Sequence, residues 1–138
     1  MSAGPRLFID SSVLIRYFAG DDPPRALAAA QLLDASDGPP LVVSTGLVLE
    51  VVHVLRTRYG VENPRIAEVL AAFLTRENVH VADADRHALV AAIRWSTRAS
   101  ARRIPDAILA AAAEQAGCER IATFDEAFVS PSVPVRLL

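Results

Sequence analysis

Short apolar runs alternate along this chain with longer stretches whose apolar residues recur at helical spacing. Arg6-Leu7-Phe8-Ile9 is the first run, broken by Asp10-Ser11-Ser12. Leu41-Val42-Val43 and Val79-His80-Val81 are too short for helices and read as strands, as do Arg120-Ile121-Ala122-Thr123 and Val133 to Leu137. Between them the pattern predicts helices over Val13 to Phe18, Arg25 to Asp34, Ser44-Thr45 to Tyr59, and Asn63-Pro64 to Arg76. Two more run from Asp83 to Ala99 and from Pro105-Asp106 to Gly117, and Asp125 to Phe128 reads as a short helical turn. Ser44-Thr45, Asn63 and Asp83 offer the expected caps, Pro23-Pro24 suits a helix start, and Gly60 and Gly117 are the expected stops.

Short apolar strands separated by helices predict a mostly parallel sheet of about five strands covered on both faces, a three-layer α/β/α fold. No repeat, low-complexity tract or linker divides the sequence, so one domain is expected over residues 1–138.

Composition narrows the chemistry. Apolar residues form 52% of 138 residues, enough for one packed core, and charged residues 22%. The net charge of −2 sets 16 acids against 14 bases, and every base is arginine. A chain without lysine has no Walker-A lysine, no Schiff-base lysine and no lysine general base. Cys118 is alone and His53, His80 and His87 are dispersed, so neither an internal disulfide nor a zinc cluster is expected. MSAGPRLFID lacks the apolar length of a signal peptide and no run is long enough to span a membrane. These features predict a soluble cytoplasmic protein without a membrane partner. The acidic balance speaks against a basic, non-specific nucleic-acid coat but leaves room for a local arginine-lined groove.

Most acids fall in turns, helix starts and solvated faces. Four do not fit that pattern as easily. Asp10 follows Leu-Phe-Ile at the carboxyl end of the first strand, where open α/β sheets bind ligands, and it is equally a candidate N-cap. Asp125 follows Arg-Ile-Ala-Thr-Phe in the same way. Glu50 lies within Leu47-Val48-Leu49-Glu50-Val51-Val52-His53-Val54-Leu55, which reads as a buried helix apolar nearly all round. A carboxylate buried there needs a metal ion or an arginine such as Arg94. Asp106 stands in the first turn of an alanine-rich helix, whose dipole welcomes an anion. Converging at one sheet edge, four hard oxygen donors match Mg²⁺ or Mn²⁺ rather than zinc. Such ions would clamp a phosphodiester and activate water.

The sequence resembles the PIN-domain family, and within it the VapC-type toxin ribonucleases of toxin–antitoxin modules. Leu7 to Phe18 with Gly20-Asp21-Asp22-Pro23 is similar to the family's opening strand, aspartate and first helix. Leu49 to Leu55 with Tyr59-Gly60 is similar to its glutamate-bearing helix. Pro105 to Ala111 resembles the segment of its third acid, and Ala122 to Phe128 that of its fourth. The resemblance covers nearly the whole chain. It implies a PIN-like domain in which Asp10, Glu50, Asp106 and Asp125 bind Mg²⁺ or Mn²⁺ and carry RNA phosphodiester hydrolysis. Ser12 and Thr123 take positions that orient the cluster. It also implies a homodimer, an RNA substrate and inhibition by a cognate VapB-type antitoxin. Where family members often carry a polar or acidic residue before the third aspartate, this chain has Arg102-Arg103-Ile104-Pro105.

Arg98, Arg102 and Arg103 are candidates for contacting an RNA backbone, or form a solvated basic loop. Trp95 and Tyr17 are candidates to stack on bases; Trp95 alternatively packs in the core or a dimer interface, and Tyr59 reads as packing. His53 reads as a satisfied, partly buried histidine, and Cys118 as buried and inert. Two other function classes remain. A haloacid-dehalogenase-like phosphatase or a receiver domain would want a lysine beside the aspartates, and the first also an aspartate where Ser12 stands. A non-catalytic PIN-like RNA-binding module is the other.

Overall fold

The computed structural model describes residues 5–99 and 104–138. Its elements run β1 (Leu7–Phe8), α1 (Ser11–Ala19), α2 (Pro23–Leu33), β2 (Leu41–Val43), α3 (Thr45–Thr57) and α4 (Asn63–Leu74). They continue with β3 (Val79–Val81), α5 (Arg86–Ala99), α6 (Ile104–Gln115), β4 (Ile121–Thr123) and β5 (Val135–Leu137). The chain is α/β with parallel strands; helix pairs form the crossovers from β1 to β2 and from β2 to β3, and an irregular stretch over 124–134 joins β4 to β5.

Local chemistry explains most boundaries. Asp10 caps α1, and Gly20, in the left-handed region at φ +66°, ends it by returning its N–H to the Arg16 carbonyl. Asp22 caps α2 ahead of its two prolines by accepting the Arg25 N–H. Ser44 caps α3 by accepting the Leu47 N–H at 3.2 Å. Two expected caps differ. Glu62, not Asn63, takes the cap position of α4 and makes no side-chain bond there. Asp85, not Asp83, receives the Ala88 N–H at the start of α5. Asp83 is committed elsewhere, to Thr45.

The expected sheet of about five strands is divided. β1, β2 and β3 form one parallel sheet in that order, with Leu7 opposite Leu41 and Leu41 opposite Val79. β4 and β5 form a separate parallel pair, with Ile121 opposite Val135. The division follows from strand length. Leu7 and Ile9 donate to Pro40 and Val42 on the β2 side. Peptides alternate in direction along a strand, so two-residue β1 has little ladder left for another neighbour.

The core sits between the three-stranded sheet and its helices. Leu41, Val43 and Val79 are fully buried, with Leu14, Val48, Val51, Leu70, Leu89 and Ile108 from five of the helices. Tyr17, a sequence candidate for stacking on a base, is tied into a polar junction. Its hydroxyl donates to Asp34 at 2.8 Å and accepts from Arg76 at 2.9 Å, and the Arg76 guanidinium lies over its ring. Burial alone would lower the Arg76 pKa, but the hydrogen bonds it donates to Tyr17 and Asp34 outweigh it and raise the value. Trp95 is half-buried and packs against the core. Cys118 and His53, expected to be at least partly buried, are both exposed, because their positions fall on solvent faces. Among the described residues no helix is long and apolar enough to cross a membrane.

Candidate functional site

Asp10 is placed by a buried residue and a helix start. Ile9 before it is 1% exposed, which fixes the backbone, while the carboxylate itself reaches solvent. Its Oδ2 accepts the Ser12 hydroxyl at 2.6 Å and the Ser12 backbone N–H at 3.1 Å. These bonds, the hydroxyl's foremost, hold the Asp10 carboxyl below the usual carboxylate range. A carboxylate so stabilised is a poor proton acceptor near neutrality and a good fixed anion. Its chemistry suits holding a cation better than acting as a general base.

Asp125 and Asp106 are joined through one loop. The Thr123 hydroxyl oxygen accepts the Asp125 N–H at 3.0 Å, and Asp125 Oδ1 accepts the Ala127 N–H at 2.9 Å. The Phe128 N–H closes onto the Asp125 carbonyl at 3.1 Å. The expected short helical turn is thus a hydrogen-bonded turn, and the segment is too brief to propagate into a helix. Asp106, half-buried in the first turn of α6, accepts the Val129 N–H on Oδ2 at 3.3 Å. That bond fastens the loop carrying Asp125 to the helix carrying Asp106.

Glu50 corrects an expectation. The carboxylate is exposed, although Leu47, Val48, Val51, Val52 and Leu55 around it in sequence are buried. At 100° per residue, Gly46, Glu50, His53 and Thr57 form one narrow stripe, and that stripe faces solvent. Leucines and valines on the flanks disguise it in the sequence. Glu50 therefore carries no burial cost that a metal or Arg94 must relieve, and no Glu50–Arg94 ion pair occurs among the described residues. Its helix nevertheless packs against both α1, capped by Asp10, and α6, which begins beside Asp106.

Arg98 lies exposed in the last turn of α5. Arg102 and Arg103, with the rest of the basic stretch after residue 99, lie outside the described residues.

One pair escaped the sequence reading. Asp83 accepts the Thr45 N–H at 2.9 Å on one oxygen and the Thr45 hydroxyl at 2.7 Å on the other. The end of β3 thereby clasps the start of α3. Thr45 follows β2 and Asp83 follows β3, so pairing of those two strands was the signal that would have revealed the bond.

Carboxylates are the right donor type for a hard divalent ion. Among the described residues, however, no three His, Cys, Asp or Glu side chains stand close enough together to hold a metal ion. The donor chemistry fits in kind, but the described side chains are not gathered into a metal centre.

Comparison with known proteins adds one match. Residues 7–132 match the family described as PIN domain. No curated protein matches the chain.

Proposed function

Because the chain belongs to the PIN-domain family, we propose that it is a metal-dependent endoribonuclease, the toxin of a VapBC-type toxin–antitoxin pair. Membership of that family points to a nuclease-like activity. The finer reading assigns Asp10, Glu50, Asp106 and Asp125 as the carboxylates that hold Mg²⁺ or Mn²⁺. A divalent ion bound there would supply water activation and charge neutralisation at the scissile phosphate. This chain's own residues supply the rest. Ser12 keeps Asp10 ionised and oriented, Thr123 and the Ala127 N–H orient Asp125, and the Val129 N–H orients Asp106. No lysine or cysteine is required, and no covalent intermediate is invoked.

The observation that carries this reading is the placement of three acids at strand ends and a helix start within the matched span, each with an oxygen fixed by the chain's own donors. The same reading includes a cognate VapB-type antitoxin, a homodimer and a cytoplasmic location. A cationic antitoxin side chain entering the acidic site would neutralise it as a metal does.

Cleavage of labelled single-stranded RNA with Mg²⁺, Mn²⁺ or EDTA tests the proposal. Asp10→Asn and Asp106→Asn should each lower the rate roughly 100-fold or more. Asparagine caps helices as well as aspartate does, so α1 should persist in the first variant. Cleavage that survives chelation, or either substitution, would sink the mechanism. RNA bound but not cut by metal-loaded wild type would favour a PIN-like RNA-binding module instead.

A further inference from the structure

We propose that the cleft between α1 and α2 receives a nucleotide flanking the bond that is cut, with Arg16 and Arg25 on its phosphate. This rests on the nuclease reading above and adds a binding subsite to it. The cleft encloses about 410 Å³ and is lined by Ser12, Val13, Arg16, Arg25, Ala28 and Leu32, among others. That volume lies within the ~300–1,000 Å³ typical of small-ligand sites.

Three features point to a nucleotide. The first is continuity with the candidate active site. Ser12 lines the cleft and also donates its hydroxyl to Asp10, so a group seated beside Ser12 is one side chain away from that carboxylate. The second is the division of the lining into two chemistries. Val13, Ala28 and Leu32 give an apolar surface for a base and sugar, and two guanidiniums give forked donors for a phosphate.

The third is how those guanidiniums are held. Arg16 meets Asp21 at 3.4 Å and Arg25 meets Asp22 at 3.6 Å, both longer than a strong charge-assisted hydrogen bond. Both pairs are solvent-accessible. Each aspartate also has a second partner. Asp21 accepts the Tyr59 hydroxyl at 3.0 Å, and Asp22 accepts the Arg25 backbone N–H at 3.3 Å. The arginines can therefore turn to a phosphate without stripping either carboxylate of its structural bond. The aspartates pre-orient them, and their negative charge keeps the empty cleft from being a general anion trap.

The helical spacing agrees. Ser12, Val13 and Arg16 lie on one face of α1, and Arg25, Ala28, Ala29 and Leu32 on one face of α2. One strand of RNA following these two faces would pass Asp10 at the α1 start.

The test uses the full chain and a single-stranded RNA oligonucleotide. Binding is read by fluorescence anisotropy in EDTA, and cleavage by steady-state kinetics with Mn²⁺. Arg25→Gln removes the guanidinium and keeps the backbone cap on Asp22. It should weaken binding roughly tenfold and raise KM by a similar factor, with kcat within about twofold. The slope of log K against log salt should shrink by about 0.7, the value for one phosphate contact on a single strand. Ala28→Glu, an exposed helix substitution that leaves both arginines in place, should weaken binding at least as much. Arg65→Gln, on the exposed face of α4, should change neither quantity.

Unchanged affinity, KM and salt slope in both Arg25→Gln and Ala28→Glu would overturn the subsite. So would equal weakening by Arg65→Gln, which would make the effect one of bulk charge. Failure of the nuclease reading looks different. Wild type would then cut no RNA with any divalent ion, whereas Arg25-dependent binding in the same sample would still support the cleft.

Discussion

The same local pattern, a short strand running into an aspartate, occurs twice in this molecule in different surroundings. Asp10 leaves a parallel sheet whose central strand is buried at Leu41 and Val43 and which helices cover. Asp125 leaves a two-stranded pair that is partly exposed throughout, beside Phe124 at 81% exposure. The first aspartate is held by packing beneath it and a serine two residues on. The second sits in its own turn, and the Val129 N–H donated to Asp106 ties that loop to α6. A shared sequence pattern thus gives one acid on a buried sheet and another on a turn beside a partly exposed strand pair. Parts of a site with few buried apolar contacts open most easily.

The contrast can be broken most directly through the strands. Leu41→Ala should cost about 2–5 kcal/mol in urea unfolding, because it opens a cavity in a fully buried position. Leu137→Ala, in β5 at 52% exposure, should cost less than about 1 kcal/mol. Equal losses would show that β4 and β5 belong to the same cooperative core.

A smaller effect sharpens the buried side. Asp83→Ala should destabilise the protein by about 1–2 kcal/mol, because it orphans the N–H of buried Thr45 at the start of α3. It should also lower RNA cleavage more than its stability loss explains, since α3 carries Glu50. A cleavage rate unchanged at full folding would leave the clasp a purely structural bond.

The smallest effect concerns protons. Asp10 is depressed by its Ser12 bonds, so its cap stabilises the fold above the ordinary carboxylate pKa and loses that contribution as pH falls through its own lower value. Ser12→Ala should move the Asp10 titration upward, as read by carboxyl NMR shifts against pH. An Asp10 titration unmoved by Ser12→Ala would remove the serine as the cause of the depression.

Strand and helix order was legible in the sequence because short β-branched runs and capped helices are local signals. β2 and β3 fall where Leu41-Val42-Val43 and Val79-His80-Val81 predict them. Lateral pairing was not legible, since nothing in a two-residue strand states which neighbours its few peptides will meet. Glu50 shows a second limit. Apolar letters all round a helix conceal which stripe the fold leaves bare, and here that stripe includes the acid. The Asp83–Thr45 bond spans 38 positions and becomes visible only once β2 and β3 are known to be adjacent. Asp10 was legible in place and in capping role, because strand, acid and serine sit within a few residues.

Cys118, exposed just past Gly117 at the end of α6, is the chain's only thiol. The 12 residues of α6 set it ~18 Å from the start of the helix that carries Asp106. A fluorophore or spin label attached there needs no engineered cysteine and no removal of competing thiols. It would sit at the entry to β4, a helix length from the turn that carries Asp106. Its signal on adding Mn²⁺ or RNA would follow the β4–β5 half directly. The native sequence thus provides its own gauge of how far that half moves when the site is filled.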